Sequence, residues 1–286
     1  MKLQLHPLSS GLGVEIIGID LSSDLDDLTF AAIEQAWRDH LILLFRNQAL
    51  SNEQHVAFSA RFGPLDDHRS IPRLRDPVVH EILPVVNQVM GGRKQPVGRQ
   101  WHSDLSTTLQ PARASLLRCE EIPPVGGDTM FANMYMAYET LSDTMKDVID
   151  DLWAVHDLTL AHHNRGRADI DEVRKRTPPV AHPIVRVHPE TGRRALYVSE
   201  MTTAGIVGMR REEARPILDF LFAHCTRPEF VYRHSWKVGD MIAWDNRCTI
   251  HLALSDYDID VTRRMYRTTL LGEPSGYLVE PQESRA

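Results

Sequence analysis

Residues 230–252 read FVYRHSWKVGDMIAWDNRCTIHL. Apolar and polar side chains alternate through this stretch, which is the two-residue period of a strand with one buried face. Val238-Gly239-Asp240 interrupts it with turn chemistry, so the stretch predicts two strands around a turn. Working outward, Thr262 to Gly272 predicts a final strand. Ile184 to Val187 and Ala195 to Ser199 flank the hairpin signal Pro189-Glu190-Thr191-Gly192. Further upstream, strands are expected at Val14 to Ile19, Leu41 to Phe45, Val78 to Val86, Gln100 to Ser106, Ala114 to Cys119 and, after the turn Gly126-Gly127-Asp128, Thr129 to Ala132. Helices are expected at the edges. Leu28 to His40 carries Phe30, Ile33 and Trp37 at helical spacing. Ser51 with Gln54 forms a capping box opening a helix through Phe62. Tyr138 to Leu152 places Leu141, Met145, Val148 and Leu152 on one face, and Arg210 to Cys225 completes the set. Strand and helix do not alternate as a parallel sheet requires, so the fold class is mixed α+β: a β-sandwich or jelly roll with flanking helices, in a single domain over 1–286. Val89 to Gln100 reads as a mobile loop, and the polar segment 162–179 as a lid.

At 286 residues the chain can bury a large core without disulfides or a structural metal. The net charge of -7 and the lack of a basic run argue against nucleic acid and anionic membrane as partners. Cys119, Cys225 and Cys248 are widely spaced and form no CxxC pair, which fits reduced core thiols. The N-terminus shows no signal-peptide pattern and no apolar run approaches bilayer length, so a cytoplasmic protein is expected.

Three features carry chemistry. In Trp101-His102-Ser103-Asp104, a strand would turn His102 and Asp104 to one face, where imidazole and carboxylate can share a metal. His-x-Asp is common by chance, and a solvated surface pair explains it equally well. His188-Pro189-Glu190 is a similar pair, but Pro189 places it in a turn, outside any metal site. The second feature is His251, at the end of Trp244 to His251; alone it is an ordinary core histidine. The third is Arg263, Arg264 and Arg267 in an otherwise apolar strand, where each arginine needs an anion unless the strand is a solvated edge.

Taken together and in order, Trp101 to Asp104, Gly126-Gly127-Asp128-Thr129, Trp244 to His251 and Arg263 to Gly272 resemble the taurine dioxygenase family, which includes the 2,4-dichlorophenoxyacetate and alkylsulfatase dioxygenases. Arg61 to Leu65 and His188 to Gly192 are also similar to family segments, and the resemblance runs from about Gly13 to Gly272. It implies a double-stranded β-helix core, an iron(II) centre, and use of 2-oxoglutarate and O₂. His102, Asp104 and His251 match the metal ligands; Thr129 and Arg263 match the groups that bind the far carboxylate of 2-oxoglutarate. Arg267 and His68 match residues that meet the substrate anion. The segment between His251 and Arg263 looks one residue longer than in close relatives, which leaves Arg264 as the alternative to Arg263.

The resemblance implies hydroxylation of a small anionic organic substrate, with release of succinate and CO₂ and, where the hydroxylated carbon bears oxygen or sulfur, C–O or C–S cleavage. Ile71 and Gly98 stand where taurine-specific members bond the taurine amine, and Leu158 and Met201 fall near positions that are aromatic there. An aryloxyalkanoate, alkyl sulfate or alkyl sulfonate is therefore expected, with a taurine-type reaction as the alternative. Two other classes use the same residues differently: a metal-dependent hydrolase on His102, Asp104 and His251, and a non-catalytic jelly-roll binding protein. Tyr135, Tyr138 and Trp236 read as core or interface residues, and a homo-oligomer is expected because the family commonly forms them.

Overall fold

The computed structural model describes residues 3–69, 71, 74–90, 93–95, 98–163 and 170–279. Helix and sheet are mixed, as expected. The largest sheet has seven strands in the order Gln4–Pro7, Val14–Ile17, Ile42–Phe45, Met241–Asp245, Ala112–Glu121, Arg264–Leu271 and Leu83–Val86. Every pairing in it is antiparallel except that of Val14–Ile17 with Ile42–Phe45. A second, antiparallel sheet has the order Val231–His234, Thr129–Asn133, Thr249–Ala253.

Ile42–Phe45 shows how the sequence sets the layers. All four residues are apolar and buried. Because side chains alternate in a strand, Ile42 and Leu44 join a core with Phe131, Ala132 and Ile250 of the three-stranded sheet. Leu43 and Phe45 instead join Phe30, Ile33, Trp37, Phe58 and Phe62 from the helical side. The large sheet is thus covered on one face by strands and on the other by helices Asp27–His40 and Asn52–Ala60. The Ser51–Gln54 capping box that opens the second helix is formed in both directions. Cys119, Cys225 and Cys248 are free and buried. Among the described residues no helix is long and apolar enough to cross a membrane.

Several expectations are corrected. The two strands expected over 230–252 are three, Val231–His234, Met241–Asp245 and Thr249–Ala253, and the two that flank the turn lie in different sheets. The turn between them is a crossing, fixed by Asp240, whose Oδ2 accepts from the backbone N–H of Lys237 at 2.8 Å and from Nη1 of Arg46 at 2.7 Å. Tyr138 to Leu152 is broken into Met134–Glu139 and Asp143–Ile149, because Ser142 caps a new helix start and leaves Val148 exposed. Residues 88–95 include two short paired strands, Gln88–Met90 and Arg93–Gln95, where a loop was expected. Gln100 to Ser106 is not a strand: His102 makes an isolated bridge and Leu105 adopts a left-handed φ of 55°. Gln4–Pro7 carries no strong alternation and was not anticipated. The lid expected at 162–179 falls partly on 164–169, outside the described residues.

The core holds unusual titratable groups. Burial, then the nearby Arg118 guanidinium, lowers His55 to about 3, and burial, then Arg186, lowers His182 to about 4. Both imidazoles are neutral in the folded chain but protonate freely near 6.5 once it unfolds. The unfolded state therefore binds more protons below that pH. Stability is full above about pH 6.5 and falls as the pH drops toward 4, by about 1.4 kcal/mol per pH unit for each histidine, before the carboxylates titrate. Urea unfolding at a series of pH values checks this; a midpoint unchanged between about pH 7 and pH 4.5 contradicts it.

Candidate metal centre and its cavity

The two histidines are brought together by backbone pairing. The N–H of His102 donates to the carbonyl of His251 at 3.0 Å, and that of His251 to the carbonyl of His102 at 2.8 Å. Residues that exchange both bonds in an antiparallel pair stand directly opposite, with side chains on the same face. The two rings accordingly lie 4.1 Å apart between centroids. Asp104 reaches the same point from an irregular turn rather than from a strand. Its Oδ1 is 3.9 Å from Nε2 of His102 and its Oδ2 is 3.9 Å from Nε2 of His251. One ligand atom from each of the three residues lies within 4.8 Å of the others, and all three residues are buried.

The donor set suits a divalent transition metal. Nδ1 of His102 is 2.8 Å from the carbonyl oxygen of Gln100, which can only accept. Nδ1 therefore carries a hydrogen, so that Nε2, which faces Asp104 and His251, is the nitrogen available to a metal. Burial holds the His251 imidazole well below its ordinary pKa, so it is neutral, the form that ligates. Burial alone would raise the Asp104 carboxyl, but the Arg267 guanidinium, with a hydrogen bond from Ser115, outweighs it and holds it below the usual carboxylate range. Two imidazoles and one carboxylate, with no thiol, form the donor set of a site with open coordination positions.

His102 and His251 open onto a cavity of about 220 Å³ lined by residues of both sheets. Its wall is mostly apolar, including Ile71, Leu74, Leu83, Val85, Leu117 and Ala253, and its polar groups are His102, His251, Thr129, Arg263 and Arg267. Arg263 is buried and donates from Nε to the carbonyl of Gly127 at 3.0 Å, with Nη2 3.5 Å from Oγ1 of Thr129. Gly127 has a φ of +75°, and a Cβ there would stand 3.4 Å from the Arg263 side chain. The left-handed φ is what calls for glycine in this turn. Arg264 points outward, 3.7 Å from Glu121 and 46% exposed. Nη1 of Arg267 donates to Asp104 Oδ1 at 2.5 Å, while its buried Nε has no hydrogen-bond partner.

Other expected residues fall elsewhere. His68 does not line the cavity: its Nδ1 lies 3.3 Å from Asp66, although Ile71 and Leu74 of the same loop do line it. Leu158 and Met201 are not part of the wall either, whereas Ile71 and Gly98 are. Tyr135, Tyr138 and Trp236 are buried. Trp236 also donates from Nε1 to Oγ1 of Thr129 at 2.9 Å, a contact with the site that its sequence position did not reveal. Ser115 and Asn246, which bond to Asp104, were also missed.

A second cluster, His188, Asp245 and Cys248, has metal-like spacing, but its carboxylate is already saturated. Asp245 Oδ1 accepts from the backbone N–H and Nε of Arg247 at 2.9 Å each, and Oδ2 accepts from Arg247 Nη2 at 2.7 Å. His188 Nε2 lies 3.0 Å from the same Oδ2. Glu190 accepts from Nη1 of Arg247 at 2.6 Å and from Nη2 of Arg113 at 3.0 Å. This is a buried ion-pair network that fixes the turn carrying the chain from Met241–Asp245 to Thr249–Ala253, and so sets where His251 stands.

A family model described as taurine catabolism dioxygenase TauD, TfdA family matches residues 4–269. The chain is 35% identical over 285 residues to an alpha-ketoglutarate-dependent 2,4-dichlorophenoxyacetate dioxygenase of Cupriavidus pinatubonensis, covering 94% of this chain and 96% of the relative. It is 33% identical over 300 residues to an alpha-ketoglutarate-dependent sulfate ester dioxygenase of Pseudomonas putida, covering 100% of this chain and 94% of the relative. Among solved structures, AAD-2 in complex with Mn(II) and N-oxalylglycine superposes with a TM-score of 0.86 at 32% identity, covering 96% of this chain and 99% of that one. A taurine dioxygenase from Burkholderia xenovorans gives 0.84 at 36% identity, covering 100% and 98%.

Replacing Asp245 with alanine leaves Arg247, 2% exposed, with Glu190 as its remaining counter-ion and Nε and Nη2 without their acceptor. A loss of about 2–3 kcal/mol in unfolding free energy is expected. Chemical denaturation measures it, and a loss below about 1 kcal/mol would show that the pair does not hold the turn.

Proposed function

The chain belongs to the taurine catabolism dioxygenase TauD, TfdA family, and from that premise we propose that it is an iron(II)- and 2-oxoglutarate-dependent dioxygenase that hydroxylates a small organic anion bearing an apolar body. The observation that carries this reading is the meeting of His102, Asp104 and His251 at the cavity that also holds Arg263 and Thr129. His102, Asp104 and His251 would hold the metal. When bound, ferrous iron and 2-oxoglutarate supply an O₂-dependent oxidation in which the keto acid leaves as succinate and CO₂ and a substrate C–H becomes C–OH.

Arg263 and Thr129 would hold the far carboxylate of 2-oxoglutarate. Among the described residues no carboxylate forms an ion pair with Arg263, and burial lowers its pKa. A buried guanidinium in that state favours an anion strongly. Trp236 N–H can only donate, so it engages a lone pair of Thr129 Oγ1 and leaves the hydroxyl hydrogen free for a carboxylate. Arg264, turned to Glu121, is out of reach of this role.

Arg267 lies in the cavity wall beside Asp104 and would meet the substrate anion, while the apolar wall covers its body and excludes water. Ile71 and Gly98 offer no side-chain acceptor for the amine of taurine, which favours an aryloxyalkanoate, alkyl sulfate or alkyl sulfonate over taurine itself. Hydroxylation at a carbon bonded to ether oxygen, sulfate oxygen or sulfonate sulfur collapses to a carbonyl and releases that group. We take the two facing sheets as a double-stranded β-helix in one domain. A homo-oligomer in the cytoplasm completes the proposal, and a role for His68 at the substrate requires it to turn from Asp66.

The test is succinate release across a panel of these anions with ferrous iron and 2-oxoglutarate. Turnover that persists with zinc and without 2-oxoglutarate would favour the hydrolase alternative instead. His251→Ala should abolish coupled turnover. Arg263→Ala should raise the KM for 2-oxoglutarate at least tenfold, about 1.4 kcal/mol or more, while leaving use of a short 2-oxo acid without the far carboxylate nearly unchanged. Equal losses with both keto acids would remove Arg263 from this role.

A further inference from the structure

Behind the metal-facing groups runs a short hydrogen-bond relay whose direction chemistry fixes. Asn246 Oδ1 lies 3.0 Å from Nε1 of Trp244 and 3.2 Å from the backbone N of Asp104. Both of those groups can only donate, so Oδ1 is the amide oxygen and Nδ2 is the donor. Nδ2 stands 3.0 Å from Ser115 Oγ, which therefore accepts. The single hydroxyl hydrogen of Ser115 is left for Asp104 Oδ2, 2.7 Å away. Ser115 is fully buried, Asn246 nearly so, and neither lines the cavity.

We infer that Ser115 and Asn246 are positioning residues that lock the rotation of the Asp104 carboxylate toward the two histidines. Ser115 holds Oδ2 from the side of the large sheet, and Asn246 secures both the Ser115 hydroxyl and the Asp104 backbone. Oδ2 is engaged by Ser115 and Oδ1 by Arg267, so the carboxylate is fixed at both oxygens. Arg267, on the strand paired with that of Ser115, bonds Oδ1 and not Oδ2, so it does not replace the relay. The inference rests on the reading of His102, Asp104 and His251 as ligands.

The experiment titrates metal-free full-length protein with cobalt(II) alone, reading affinity and the visible absorption band. Ser115→Ala removes the donor to Oδ2. Asn246→Asp keeps its shape and its bonds to Trp244 and Asp104 but cannot donate to Ser115, whose hydroxyl is then shared between two carboxylates. Both variants should weaken cobalt binding by roughly 10- to 100-fold and alter the band as the Asp104 carboxylate is freed to rotate. Thr269→Val deletes an equally buried hydroxyl, paired across the strands with Ser115 but without a hydrogen-bond partner. It should leave affinity and band unchanged. If Ser115→Ala does not fold, Asn246→Asp decides alone. Binding and spectra like those of the unsubstituted protein, or an equal loss in Thr269→Val, would overturn the inference while the metal reading stands. If the unsubstituted protein binds cobalt no better than His251→Ala does, the metal reading falls and the inference with it.

Discussion

A carboxylate buried in the middle of the protein is the constraint on which the rest depends. Asp104 is 5% exposed, where an isolated charge is strongly disfavoured. It is tolerated because a guanidinium, two imidazole edges, a hydroxyl and an amide-held backbone all converge on it. These partners come from different parts of the chain. Arg267 lies in Arg264–Leu271, Ser115 in Ala112–Glu121, His251 in Thr249–Ala253 and Asn246 in the turn before it. Only an architecture that brings two sheets together at this point can supply all of them, so charge compensation and sheet packing are one problem here.

The crossing from Met241–Asp245 to Thr249–Ala253 solves much of it. Asp245 and Arg247 pair within the turn, and His188, Glu190 and Arg113 tie that pair to neighbouring elements. Buried ion pairs seldom add net stability over apolar packing, but they tolerate few alternative geometries. The turn thereby sets two features at once: the backbone bridge that opposes His251 to His102, and the amide of Asn246 that faces Asp104. The cavity side shows the reverse imbalance. Arg263 is buried with no carboxylate ion pair among the described residues, and Arg267 has a buried Nε without a hydrogen-bond partner. Positive groups at the polar end of an apolar cavity make the site complementary to anions with a hydrophobic body.

The layers were legible in the sequence because burial has a local period. The run Ile42–Phe45, the spacing of Phe30, Ile33 and Trp37, and the Ser51–Gln54 box each specify their element within a few residues, and the structure contains all of them. The candidate ligands were legible by another route. His102, Asp104, His251, Thr129 and Arg263 stood out through ordered motifs and family resemblance. The strand geometry invoked for His102 and Asp104 does not exist: the segment is an irregular turn, and the two residues converge because of what lies opposite them.

What the sequence determined by itself was several of the elements, the buried apolar faces and the residue types able to hold a metal and an anion. Those follow from short-range spacing and side-chain chemistry. Tertiary structure decided that Val231–His234 and Met241–Asp245 go to different sheets, that Arg263 faces inward while Arg264 faces Glu121, and that His68 turns to Asp66. It also decided that Ser115 and Asn246, 131 positions apart, share a hydrogen bond. Serine and asparagine are ordinary residues in any sequence. The direction in which each donates is fixed only by the partner that folding places beside it.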